Sequence, residues 1–118
     1  MSDADAAREM IEAVYNDGKA EINSREYVFT KMIHRDRRKV FAYMTSVQHM
    51  IQAKNFAFMD SAEFESVEKV IMNSVTFENS LLSKLEVHWD AYPQDYLPFI
   101  TTALPVISYP FLSANPTG

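Results

Sequence analysis

The last quarter of the chain constrains the fold most. All five prolines (Pro93, Pro98, Pro105, Pro110 and Pro116) lie from position 93 onward, and Tyr96 to Gly118 contains no Asp, Glu, Lys or Arg. Proline lacks the amide hydrogen a helix interior needs, and its ring collides with the carbonyl four residues earlier. The spacing therefore predicts a helix over 94–104 at most, with Pro93 in its first turn and Pro98 close to it. Beyond Pro105 it predicts an extended run, Val106-Ile107-Ser108-Tyr109-Pro110-Phe111-Leu112, and frayed residues after it. The apolar stretch Leu97 to Leu112 falls short of the roughly 20 residues a bilayer crossing needs and is broken by three prolines, so no membrane contact is expected.

Upstream the signals are more regular. Met10, Ile11, Val14 and Tyr15 share one thin helical face that stops at Asn16-Asp17-Gly18, predicting an N-terminal helical arm over 1–18 that docks loosely. The period then shortens toward two around Asn23-Ser24, predicting a hairpin over 19–32. Val40, Phe41, Met44, Val47, Gln48 and Ile51 recur at i, i+3, i+4, i+7 and predict a helix of about five turns. Asp60 with Glu63 reads as a capping pair ahead of Phe64, Val67, Val70, Ile71 and Val75. Thr76 to Asn79 reads as a connector, and Leu81, Leu82, Leu85 and Trp89 predict a further helix over 80–91. The fold class expected is mainly α with a minor β hairpin, α+β. It is one small helical bundle over 1–118, with helices over 33–104 and an extended proline-rich segment over 105–118. A chain of 118 residues, 47% hydrophobic, can build such a core without covalent staples.

Staples are in any case absent. With no cysteine the chain has no disulfides, thiolate metal sites or thiol nucleophiles, and a reducing compartment, the cytoplasm, is the expected home. The opening Met-Ser-Asp-Ala-Asp carries no basic region leading into an apolar one, in keeping with that expectation. Two glycines cannot make the phosphate-cradling loops of nucleotide-binding folds, and a net charge of −5 disfavours nucleic acid. His34, His49 and His88 lack the spacing of a metal site, and His88 and Asp90 point about 200° apart on a helix. Glu65 and Lys69 at i, i+4 read as an exposed ion pair rather than general acid–base machinery. No nucleophile setting is present, so no catalytic residue, metal or cofactor is assigned.

Two features point to protein binding. Residues 25–39 hold six basic and two acidic side chains, and Arg35, Arg37, Arg38 and Lys39 crowd the start of a helix, where they oppose its dipole. Acidic groups on 62–73 or on the arm would offset them, or they form a docking surface for an acidic partner. The second feature is aromatic. Trp89, Tyr92, Tyr96, Phe99, Tyr109 and Phe111 fall within 23 positions. Many should complete the core, while others remain as an anchor patch, since Tyr and Trp dominate binding hot spots.

The order of these features resembles that of the small tail assembly chaperones of tailed bacteriophages. The residues concerned are the hairpin with Tyr27-Val28-Phe29-Thr30-Lys31, the helix entry His34-Arg35-Asp36-Arg37-Arg38-Lys39-Val40, and the endings His88-Trp89-Asp90-Ala91-Tyr92-Pro93-Gln94-Asp95-Tyr96-Leu97 and Ile107-Ser108-Tyr109-Pro110-Phe111. The likeness spans about residues 22–112. It implies a mostly helical, non-enzymatic protein of the infected host's cytoplasm that shields the tape measure protein while tail tube subunits polymerise, and that is absent from the virion. Partners implied are the tape measure protein, the tail tube protein and a second copy of the chain. The expected contact residues are Trp89, Tyr92, Tyr96, Phe99, Tyr109 and Phe111, with Arg35, Arg37 and Arg38 as an electrostatic contact. A phage-encoded inhibitor or adaptor of a host protein is the alternative reading.

Overall fold

Asn23 and Ser24 adopt positive φ angles of 50° and 69°, the conformation that lets a two-residue turn match the twist of its strands. Lys19–Ile22 (β1) and Arg25–Phe29 (β2) therefore pair antiparallel, with Ala20 opposite Tyr27 and Ile22 opposite Arg25. Glu78 and Asn79 repeat the device at 51° and 70°, joining Val75–Phe77 (β3) to Ser80–Leu81 (β4). Because β3 also pairs with β2, placing Phe77 opposite Tyr27, the two hairpins form one antiparallel sheet in the order β1-β2-β3-β4. The computed structural model that shows this describes residues 3–113.

Five helices surround the sheet: Asp3–Asp17 (α1), His34–Gln52 (α2), Ala62–Met72 (α3), His88–Ala91 (α4) and Pro93–Ser113 (α5). The helical arm ends where expected, with Gly18 at φ 75° and its amide bonded to the Val14 carbonyl at 2.8 Å. The helix predicted from Val40 to Ile51 is α2, with Val40, Tyr43, Met44 and Val47 buried. Ser61, one residue past the expected Asp60, caps α3 by accepting from the Phe64 amide at 3.1 Å. The α+β class holds. The core lies between the inner face of the sheet (Ile22, Tyr27, Val75, Phe77) and the apolar faces of α2, α3 and α5. None of the helices is long and apolar enough to cross a membrane among the described residues.

Two expectations fail. The helix predicted over 80–91 is instead β4, a 3-10 turn over Leu82–Lys84 and the short α4. The alternating Val75-Thr76-Phe77 gains a partner in β2, which outweighs the helical spacing of the leucines. Nor is the run from Pro105 onward extended: α5 continues for 21 residues to Ser113 with Pro98, Pro105 and Pro110 inside it. Residues 114–118 of the predicted tail lie outside the described residues.

Interior prolines cost about 3 kcal/mol each. Against this, Phe99, Ile100, Leu104, Val106 and Ile107 are all at most 4% exposed, and burying such a side chain contributes about 1.5–3 kcal/mol. Pro98 and Pro105 stand seven residues apart, two helical turns, so both fall on one side of the helix. One carbonyl that loses its helical donor finds another, and a neighbouring carbonyl is also bonded from outside the helix. Asn23 donates from Nδ2 to the Gln94 carbonyl (3.3 Å), whose helical donor Pro98 removes. Arg37 donates from Nη1 to the Ile107 carbonyl (2.7 Å), next to Val106, whose donor Pro110 removes.

Candidate functional site

The first turn of α5 carries Asp95, the last charged residue before the uncharged stretch, and it is fully buried. A carboxylate there would be prohibitively desolvated if left alone. The β1–β2 turn meets it instead. Arg25 donates from Nε to Oδ2 (2.5 Å) and from Nη2 to Oδ1 (2.8 Å), a two-pronged pairing that fits the planar groups of both. Asn23 donates from Nδ2 to Oδ1 at 2.8 Å, and the Tyr27 hydroxyl donates to Oδ2 at 2.7 Å. With its one hydrogen committed to Asp95, Tyr27 accepts from Nε2–H of His88, 2.8 Å away, which fixes that imidazole's tautomer. The Arg25 guanidinium also lies 4.1 Å from the centre of the Tyr92 ring.

The electrostatics follow from these contacts. Hydrogen bonds from Arg25 hold Asp95 well below the usual carboxylate range, and Asp95 in turn holds Arg25 above its own ordinary value. Burial first, and the Asp95 hydrogen bond second, push the Tyr27 hydroxyl up. Burial lowers His88, keeping the ring neutral and able to serve as a donor through one nitrogen only. Every member of the cluster is hydrogen-bonded to another member. It is a clamp that fixes the start of α5 to the hairpin. His88 thus finds its polar partner in Tyr27, 61 residues earlier in the chain, and not in Asp90, two residues on. The signal of the clamp in the sequence is one acidic residue at the threshold of an apolar helix.

The aromatic residues expected to form one contact surface divide between the two ends of α5. Phe99 is fully buried among Tyr27, Phe29 and Trp89, with ring centroids 5.4, 6.3 and 5.3 Å away, so it is a core residue and belongs to no surface. Trp89 is half-buried, stacked on Tyr27 at 6.0 Å and edge-on to Tyr96 at 5.1 Å. Tyr92 is half-buried over Phe77 and His88, and the hydroxyl of half-buried Tyr96 donates to Glu68 of α3. These four rings complete the core beside the clamp.

Tyr109 and Phe111 lie at the opposite end, and there the structure brings them to the basic helix entry. The Phe111 ring is 5.8 Å from His34 and 5.0 Å from Phe41; that of Tyr109 is 5.0 Å from Tyr15 of the arm. Burial and a hydrogen bond to Glu12 raise the Tyr109 hydroxyl above its ordinary value. Arg37 reaches inward to the Ile107 carbonyl and lies 5.9 Å from the Tyr15 ring, while Arg35 pairs only with adjacent Asp36 at 3.4 Å and Arg38 is exposed. Among the described residues no carboxylate of α3 or of the arm forms a salt bridge with this island; Lys39 instead donates to Ser66. Glu63 of α3 lines the same surface cavity as Lys39.

Next to these rings in the chain, Ile33 is 58% exposed and Leu112 48%; other large apolar side chains are left in solvent elsewhere, among them Met10 on the arm at 58%, Val87 before α4 at 68% and Leu97 in α5 at 39%. The arm itself buries none of the side chains described for it. The meeting of α1, α2 and α5 thus combines half-buried rings with exposed cations and with the exposed side chains of Ile33 and Leu112. Comparison with protein-family models, with curated proteins and with solved structures finds no match to this chain.

Proposed function

We propose that the protein is a tail assembly chaperone of the kind made by tailed bacteriophages. It acts in the host cytoplasm by binding the tape measure protein while the tail tube assembles, and it makes or breaks no covalent bond. The reading rests on the resemblance in layout and on one observation above all: Ile33 and Leu112, each about half exposed, are chain neighbours of His34 and Phe111, whose rings lie 5.8 Å apart where α2 meets α5, and Arg35 and Arg38 follow in the same helix entry. Exposed apolar side chains close to cations suit a protein partner. Methionine and aromatic side chains suit a client that is long, apolar and variable along its length.

The test is co-expression with the tape measure protein. Ile33→Ala combined with Leu112→Ala removes exposed apolar surface without touching the core or adding a cap to α2. The client should then become insoluble while the chaperone keeps its unfolding midpoint. A client equally soluble with the doubly substituted chaperone overturns the assignment.

A further inference from the structure

A half-enclosed cavity of about 340 Å³ lies between the last turn of α1, the end of β2 and the middle of α5. Tyr15, Phe29, Met32 and Ile107 supply apolar lining, and Arg37 and Lys31 supply charge. No aspartate or glutamate lines it, and among the described residues neither cation has a carboxylate within salt-bridge distance. Two uncompensated cations beside low-dielectric walls concentrate positive potential in a chain whose net charge is −5. Arg37 is also held in place. Nη1 is committed to the Ile107 carbonyl at 2.7 Å, and the guanidinium lies 5.9 Å from the Tyr15 ring. The guanidinium keeps further donors in a planar fork, which matches a carboxylate. Thr30 adds no competing donor, because its hydroxyl is spent on the Ser74 carbonyl at 2.7 Å.

We propose that this cavity binds a carboxylate carried on an apolar group. The carboxylate would pair with Arg37 and Lys31, and the apolar group would lie against Tyr15, Phe29 and Met32. At about 30 Å³ for each water-sized group the space admits roughly ten non-hydrogen atoms, the size of a phenylpropionate or of one C-terminal phenylalanine or leucine of a polypeptide. Both sources present the same chemistry. Apolar walls and a single fixed guanidinium favour a carboxylate over a phosphate, whose extra charge and oxygens call for more donors than the lining offers.

The experiment is a titration of the full chain, followed by backbone amide NMR, with three probes: 3-phenylpropionate, acetyl-Gly-Phe as the free acid, and acetyl-Gly-Phe amide. At least one acid should shift the amides of residues 16–18 and 29–32 saturably, and the peptide amide should bind about tenfold more weakly than the peptide acid. Binding by both acids marks a site for small carboxylates, and binding by the peptide acid alone marks a site for a chain terminus. Lys31→Gln, at an exposed position, should weaken the acid several-fold with an unchanged melting temperature. Equal binding of the peptide acid and amide, indifference to Lys31→Gln, or no saturable shift with either acid overturns the proposal. None of these results depends on whether the chain binds a tape measure protein.

Discussion

The two ends of α5 are secured by opposite means. At Pro93–Phe99 the helix is fixed by a fully buried carboxylate that takes four hydrogen bonds from Asn23, Arg25 and Tyr27, with Phe99 sealed in the core. At Tyr109–Leu112 it is held mainly by ring contacts to Tyr15, His34 and Phe41, with one hydrogen bond from Tyr109 to exposed Glu12, and Leu112 is left about half in water. Directional bonds to a buried charge admit one geometry and fail together, whereas ring contacts at a surface slide at little cost. The clamped end admits one arrangement, and the other end is held by contacts that tolerate small displacements.

Substitutions should widen or erase this contrast, beginning with the core. Phe99→Ala, which opens a void under Trp89 and Tyr27, should cost about 3–5 kcal/mol in chemical denaturation, whereas Phe111→Ala should cost about 1 kcal/mol. Equal costs would abolish the contrast. Asp95→Ala strips Arg25, Tyr27 and Asn23 of their common acceptor and should cost about 3 kcal/mol.

Asn23→Gly retains the positive φ of the turn but loses the donors to Asp95 and to the Gln94 carbonyl, and about 1 kcal/mol should go with them. The smallest effect on stability belongs to the open end: Ile33→Ala, at a helix N-cap that makes no side-chain cap bond, should change it by less than about 0.5 kcal/mol in the same denaturation experiment.

Acidity offers an independent probe of the clamp. The folded-state value of Asp95 lies below its unfolded one, so its contribution is complete above the usual carboxylate range near pH 4 and is lost as pH falls below it. The folded-state value of His88 is also lowered, so the unfolded chain takes up that proton first and stability begins to fall as pH drops through about 6.5. Denaturation midpoints across this range should show both declines. His88→Gln should remove the upper one and Asp95→Asn the lower, each in a background already less stable.

Local grammar was legible in the sequence, and distant pairing was not. Asn23-Ser24 announces its turn because asparagine tolerates the left-handed conformation, and α2 announces itself by five turns of apolar spacing. Glu78-Asn79 carries a similar signal, yet Val75 continues the apolar face of α3 and Leu82, Leu85 and Trp89 imitate a helix. Only pairing with β2, nearly fifty residues earlier, makes a strand of Val75–Phe77. The prolines misled for a related reason. Their local cost is real, but the side chains that bond α5 carbonyls from outside, Asn23 at the one affected by Pro98 and Arg37 at Ile107, stand about 70 residues away in the chain. Phe99 was placed on a surface because composition counts rings without saying which face of a helix they take.

The span of the clamp has a consequence for how the protein is made. Asn23 and Arg25 are synthesised early, yet their acceptor is a residue some 70 positions later. The emerging hairpin must wait for it, with Tyr27 lacking its hydrogen-bond acceptor and the inner face of the sheet uncovered. Because the helix that supplies Asp95 is interrupted by proline, it in turn has little reason to form before the hairpin receives it. Each half is the other's template, so a nascent chain halted before position 95 leaves the ribosome without a finished core and open to proteolysis.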